Sequence, residues 1–292
     1  MTTEPDPPTT LRLALPKGRM QAGVAELLSA AGLPLAQFAR DYRPRIALPG
    51  LQVKLLKPQN IVEMLHAGSR DLGFCGADWV LELRAELVEL VDTGLDPVRL
   101  VAAAPRALLT DGLLPTRPLV VASEYEQITR DWLQRQGIDA TFVRSYGATE
   151  VFPPEDADVI VDNCATGDTI AANGLQIVDE LATSSTRLYA SPGSLRDPER
   201  RQAIEGFVLL VQAVLAARQR AMLDVNVGAA DLERVLAVLP SMQRPTISPL
   251  SDGAGFAVRA AVPRRDLPLL IPRLRARGGR DLVVANVSQI VP

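Results

Sequence analysis

Asp158-Val159-Ile160-Val161-Asp162-Asn163-Cys164-Ala165-Thr166-Gly167-Asp168-Thr169-Ile170 runs from an apolar strand into an acidic residue, through a small-residue loop, and into a helix. The helix continues over Ala171 and Ala172 and stops at Asn173-Gly174. Strand, short loop and helix in this order form the repeating unit of α/β folds. A small-residue loop at a helix start offers free backbone N–H groups, threonine hydroxyls and the positive end of the helix dipole, which together hold a phosphate monoester. Asp162, at the entrance of the loop, is suited to gripping the vicinal hydroxyls of a ribose. A plain capping role for Asp162 and Thr166 accounts for the same residues, and Thr-Gly-x-Thr alone leaves both readings open.

The same unit recurs upstream. Leu11 to Leu15 reads as a strand ended by Pro16, followed by Lys17-Gly18-Arg19 and a helix marked by Val24, Leu27 and Leu28 and closed by Gly32. Val53 to Leu56 reads as a strand, Lys57-Pro58-Gln59-Asn60 as a loop with Asn60 a candidate cap, and Ile61 to Ala67 as a helix ended by Gly68. Further strands are expected at Leu72 to Cys75, Arg99 to Ala103, Leu119 to Ala122, Thr141 to Arg144, Val159 to Val161 and Arg187 to Ala190. Helices are expected at Glu124 to Gln136 and Ala203 to Met222. The alternation predicts α/β layers with largely parallel sheets. After Met222, Val235 to Leu239, Phe256 to Val262, Leu267 to Arg277 and Leu282 to Val287 read as helix end, strand, helix and strand, a small α+β module of βαβ type.

The chain has 292 residues, 47% apolar and 22% charged, a soluble globular composition with length for about two domains. Cys75 and Cys164 cannot build a disulfide framework and read as small buried residues. The single histidine, His66, excludes a multi-histidine zinc site and reads as structural or superficial. Met1 to Thr10 lacks a basic or apolar targeting pattern, so a cytoplasmic protein is expected. No apolar run approaches the roughly 20 residues of a membrane span. Net charge is −3, yet between residues 11 and 60 Arg12, Lys17, Arg19, Arg40, Arg43, Arg45, Lys54 and Lys57 face only Glu26 and Asp41. A basic patch in a mildly acidic protein suits a small polyanion better than nucleic acid, with a solvated charged face as the plainer alternative. No P-loop occurs, and Gly253-Ala254-Gly255 lacks the third glycine of a dinucleotide fingerprint.

Several separate motifs stand in a telling order. They are Leu15-Pro16-Lys17-Gly18-Arg19, Lys57-Pro58-Gln59-Asn60-Ile61, Asp71-Leu72-Gly73-Phe74-Cys75-Gly76-Ala77-Asp78, Gly147-Ala148-Thr149-Glu150-Val151 and the Asp162 loop. Asn173-Gly174-Leu175, Ser185-Thr186-Arg187-Leu188 and Pro245-Thr246-Ile247-Ser248-Pro249-Leu250 follow. Together they resemble the ATP phosphoribosyltransferases of histidine biosynthesis, in the long form with a C-terminal regulatory domain. The resemblance runs from Leu11 over nearly the whole chain and favours ligand binding over capping for the Asp162 loop.

The resemblance implies an α/β fold: a two-lobed periplasmic-binding-protein-like catalytic core and a small ferredoxin-like (ACT-like) α+β C-terminal domain. Residues 1–100 would form lobe I, rejoined by about 190–214, with 101–189 as lobe II and 215–292 as the regulatory domain. It implies that N1 of ATP displaces pyrophosphate from C1 of phosphoribosyl pyrophosphate, a step that asks mainly for positioning and electrostatic stabilisation of the leaving group. Asp162 would contact the ribose, and Thr166, Gly167, Asp168 and Thr169 the 5′-phosphate. Lys17 and Arg19 would neutralise phosphates, while Asp78 and Glu150 would help place the nucleotide, Glu150 near the adenine or as a proton acceptor. Mg²⁺ would ride chiefly on the pyrophosphate. Histidine would inhibit at Asn226, Thr246, Leu250 and Asp281, in a homohexamer or dimer. Ala165 stands where the family commonly has Glu or Ser, Asn60 stands where Asp is usual, and Asp168 adds a negative charge beside the phosphate. A non-catalytic binding or regulatory paralogue with the same cleft is the alternative class, and another phosphoribosyltransferase a third.

Overall fold

The computed structural model describes residues 10–36, 42–240, 244–251 and 253–291; the tail 1–9 and, from the basic stretch, Arg40 and Asp41 lie outside them. By contacts the chain forms two compact units. The first is the chain up to Gly206 without Leu27–Gly32, and the second is Leu27–Gly32 with the chain from Phe207.

In the first unit, lobe I carries the strands β1 (Leu11–Pro16), β4 (Leu51–Leu56) and β5 (Leu72–Gly76). Between them lie α1 (Met20–Ala30), a two-strand ladder of β2 (Leu35–Ala36) and β3 (Arg45–Ile46), and α2 (Pro58–His66), while α3 (Ala77–Glu82) follows β5. Next comes the long β6 (Val88–Pro105) and then lobe II, with β7 (Leu119–Ser123), α4 (Glu126–Gln136), β8 (Ala140–Arg144), β9 (Val159–Cys164) and α5 (Asp168–Ala172). The long β10 (Leu175–Ala190) leads back, and α6 (Pro198–Arg218) follows, its residues from Phe207 counted in the second unit. The eight strands make one sheet, β4-β1-β5-β10-β6-β9-β7-β8.

β1, β4 and β5 are parallel to one another, as are β7, β8 and β9, but β10 runs antiparallel to β5 and β6, and β6 antiparallel to β9. The expectation of largely parallel sheets is therefore corrected to a mixed sheet. Only the apolar ends of β6 and β10 read as strands. Their remaining lengths carry Glu89, Asp92, Gln176, Asp179 and Glu180, polar residues that resemble loop. Register shifts along the β6–β10 pair, including one between Ser184 and Thr186, bend the two strands as they pass between the lobes.

Short apolar runs become strands here because helices cover them. Ile61, Val62 and Leu65 of α2 pack on Ala14 and Cys75, and Gly73 permits the approach, since a Cβ there would stand 2.6 Å from Ile61 Cγ2. Trp132 and Leu133 of α4 cover Val121, Val159 and Val161, while Ile170 and Leu175 close the opposite face of β9. Asn60 does not cap α2. Lys57 holds the cap position, Pro58 takes the first turn where its missing N–H costs nothing, and the Asn60 amide donates to Glu63 at 3.1 Å.

The second unit holds a four-stranded sheet, β12-β13-β11-β14, built from β11 (Arg220–Gly228), β12 (Thr246–Pro249), β13 (Gly255–Pro263) and β14 (Gly279–Asn286). It also holds α7 (Leu232–Leu236) and α8 (Leu267–Ala276). The helix expected to reach Met222 ends at Arg218, and Met222 lies on β11. Ala221, Leu223, Val225 and Val227 alternate into the core, and this period of two overrides the helical reading. Their partners are Val235 of α7, Val258 and Val262 of β13, and Leu270 and Leu274 of α8.

Candidate active site

Ligands of α/β sheets bind beyond the carboxyl ends of parallel strands, and here the ends of the two lobes meet. Beyond β1 lies Lys17, and beyond β5 lies Asp78. Glu124 and Tyr125 follow β7, Ser145 to Glu150 follow β8, and the Asp162 loop closes β9.

The Ser123 hydroxyl and a backbone bond tie the ends of β7, β8 and β9 together. Ser123 Oγ donates to Val161 O at 2.6 Å and accepts from Tyr125 N at 2.9 Å, while Ser145 N donates to Ser123 O at 3.0 Å. The hydroxyls of Ser145 and Thr149 are 2.7 Å apart. Gly147 and Ala148 take left-handed conformations (φ 111° and 48°) that turn the chain so that buried Thr149 and half-buried Glu150 face β9.

Asp162 is half-buried, and burial pushes its carboxyl up to about 6. The Asn163 amide pulls it back down, and the charges of Glu150 and Glu124 push it further up. Asn163 N donates to Asp162 Oδ1 at 2.7 Å. Past Cys164 the loop turns at Gly167 (φ 95°), and Thr166 Oγ1 donates to Asp168 Oδ2 at 2.7 Å. Thr166, Asp168 and Thr169 are exposed, so the loop presents hydroxyls and amides to the outside.

Asp78 is buried, and both of its oxygens are engaged, Oδ1 by Ser184 Oγ and Oδ2 by Tyr125 OH, each at 2.7 Å. Glu82, one helical turn further on, accepts from the Gln127 and Ile128 amides at 3.1 and 3.0 Å and so caps α4. Burial raises its carboxyl against those donors. The rings of Trp79 and Tyr125 lie 4.7 Å apart. Lys17 holds its ammonium 3.1 Å above the Tyr42 ring, and Arg19 is exposed beside Gly18, whose φ is 81°.

Hydrogen bonds thus join Asp78 to Asp162 through Tyr125 and Asn163, whereas no hydrogen bond links Lys17 or Arg19 to that group among the described residues. Sequence reasoning missed Tyr125, Asn163, Glu124 and Glu82. The helix expected from Glu124 takes in Tyr125, and its position two residues past a buried strand end is the available signal. His66 is exposed at the end of α2, and Cys75 and Cys164 are buried, where burial pushes the Cys75 thiol upward. In the second unit Asn226 Nδ2 donates to Asp281 Oδ2 at 3.2 Å across β11 and β14. Thr246 lies exposed on β12, and Leu250 stands just past its end.

Fold and site together define a two-lobed α/β protein in which the carboxyl ends of two parallel strand sets face each other. The family model described as ATP phosphoribosyltransferase matches residues 57–213, and that of the HisG C-terminal domain matches 217–289. An ATP phosphoribosyltransferase of Pelotomaculum thermopropionicum is 34% identical over 97% of this chain and 99% of its own. One of Chlorobium phaeobacteroides is 33% identical over 96% and 97%. Among solved structures, the ATP phosphoribosyl transferase (HisG:HisZ) complex from Thermotoga maritima superposes with TM-score 0.62 at 25% identity, covering 70% of this chain and 97% of that one. The chain belongs to the ATP phosphoribosyltransferase family. It is a pentosyltransferase enzyme of histidine biosynthesis.

Proposed function

We propose that the Asp162–Thr169 loop holds the phosphoribosyl group while N1 of ATP attacks C1, so that the N1–C1 bond forms as the bond from C1 to pyrophosphate breaks. The observation that carries this reading is the pairing of a half-buried carboxylate, Asp162, with an exposed loop turned by Gly167. The carboxylate accepts from the ribose hydroxyls. Thr166, Gly167, Asp168 and Thr169 surround the 5′-phosphate, with Asp168 holding the Thr166 hydroxyl and turning its own charge toward that hydroxyl.

Lys17 and Arg19, at the end of β1, neutralise substrate phosphates and the departing pyrophosphate. Two N–H bonds of the Lys17 ammonium remain available while its third faces the Tyr42 ring. Glu150 contacts the adenine side. Asp78 acts on the nucleotide through its hydrogen bonds rather than by touching it. Magnesium enters on the pyrophosphate as part of the substrate, as is usual for an ion that binds through phosphates and few carboxylates. Histidine inhibits at the second unit beside Asn226, Thr246, Leu250 and Asp281. The enzyme works in the cytoplasm as a homohexamer or dimer; among the described residues no helix is long and apolar enough to cross a membrane.

Asp162→Asn tests the assignment directly. Losing a charged hydrogen-bond acceptor, worth about 1.5–3 kcal/mol, raises the KM for phosphoribosyl pyrophosphate tenfold or more with the KM for ATP little changed. Wild-type kinetics in this variant would remove Asp162 from the ribose.

A further inference from the structure

Hydrogen bonds run from lobe I into the loop of lobe II through a buried centre. On β10, Ser184 Oγ accepts from the Asp78 amide at 3.0 Å and donates to Asp78 Oδ1 at 2.7 Å. Tyr125 OH donates to Asp78 Oδ2 at 2.7 Å, and Tyr125 is 1% exposed. Burial and the neighbouring Asp78 charge both push the phenol upward, so it stays a donor. With its proton committed, the phenol oxygen is left to accept, and Asn163 Nδ2 donates to it at 3.3 Å. The same amide nitrogen lies 3.2 Å from Asp162 Oδ1, the oxygen that already receives Asn163 N at 2.7 Å. Each donor has one sense only, because carboxylates at both ends can only accept.

Helix α3 fixes the far end of this line. Asp78 and Glu82, four residues apart on one face, both reach the start of α4, and Trp79 lies against the Tyr125 ring. We propose that Tyr125 and Asn163 are positioning residues for phosphoribosyl transfer: the line Asp78–Tyr125–Asn163 orients the Asp162 carboxylate and couples the sugar-binding loop of lobe II to the placement of α3 in lobe I. The inference rests on the ribose role of Asp162. Around that carboxylate stand Glu150 on the turn after β8, Glu124 after β7, the Thr149 hydroxyl and the Asn163 amides. Burial and then the acids on two sides raise it, and the Asn163 backbone amide and the Thr149 hydroxyl counter them, while the Asn163 side chain bridges from the Tyr125 hydroxyl to its Oδ1.

The test measures initial rates of phosphoribosyl-ATP formation by the full chain, with each substrate varied and pH scanned. The proteins compared are wild type, Asp162→Asn, Tyr125→Phe, Asn163→Ala and the Tyr125→Phe/Asn163→Ala double variant. Tyr125→Phe keeps the ring and removes one hydroxyl, so the expected result is a KM for phosphoribosyl pyrophosphate raised about tenfold, the KM for ATP within about twofold, and an acid limb moved to higher pH. Asn163 is exposed, so Asn163→Ala tests the same line even where Tyr125→Phe fails to fold. The double variant is no worse than Asn163→Ala, because the two residues act in one line.

Wild-type KM and pH profile in Tyr125→Phe or in Asn163→Ala, or additive losses in the double variant, would overturn the proposal while Asp162→Asn still reports the ribose contact. A normal Asp162→Asn enzyme, or a wild type that makes no product, would overturn the ribose assignment itself.

Discussion

Asp162 is half-buried and Asp71 fully buried, and their carboxyls shift in opposite directions. Burial, with the charges of Glu150 and Glu124 added, pushes Asp162 up to about 6. Its folded value exceeds the ordinary carboxylate value, so the charged form costs stability that returns as pH falls toward 4, whereas the proposed ribose contact needs that charge. The rate at limiting phosphoribosyl pyrophosphate is therefore expected to drop below about pH 6, while Asp162→Asn melts no lower than wild type and loses that limb. Asp71 is fully buried, which alone would raise it, but Arg12 and Ser194 donate to it and hold it below the usual range. That stability is present above the ordinary carboxylate range and lost as pH falls through the depressed value. Asp71→Ala strands Arg12, half-exposed at the surface, and Ser194 without an acceptor. A loss of about 3 kcal/mol in denaturant unfolding is expected, and a loss under about 1 would show that Arg12 is solvated anyway. Asp162 was legible in the sequence because an acid between an apolar strand and a small-residue loop is unusual. Tyr125 was not, since its bond to Asp78 spans 47 residues and exists only where two strand ends meet.

Elements that bury one continuous apolar run were legible: β1, β5, β7 and β9 lie close to where the pattern places them. β6 and β10 were legible only in part, because a strand passing from one lobe to the other is apolar where it is covered and polar where it is not. β11 was hidden by the helix before it, which also ends in apolar residues. The α3–α4 seam makes the element-level prediction. Glu82→Ala uncaps α4 and removes a partner of two amides, so unfolding free energy falls by about 1 kcal/mol, read from urea titrations followed by circular dichroism. Gly73→Ala presses a methyl into Ile61 and Leu65 and costs about 1–3 kcal/mol in the same assay.

For the whole molecule, the family is carried by motifs in order rather than by any one of them, and the two family models divide the chain between residues 213 and 217. The second unit places Asn226 and Asp281 in one hydrogen bond, with Asp281 itself in a left-handed turn (φ 47°) on the edge strand β14. Asp281→Ala is expected to raise the histidine concentration for half-inhibition about tenfold, and unchanged inhibition would place histidine elsewhere.

On this reading the chain joins ATP to a phosphoribosyl group and answers to histidine. Continuous ultraviolet detection of phosphoribosyl-ATP, from ATP, phosphoribosyl pyrophosphate and Mg²⁺ with pyrophosphatase present, tests it most directly. Product that depends on both substrates and is suppressed when histidine is added is the expected result. Folded protein that forms no product would contradict it.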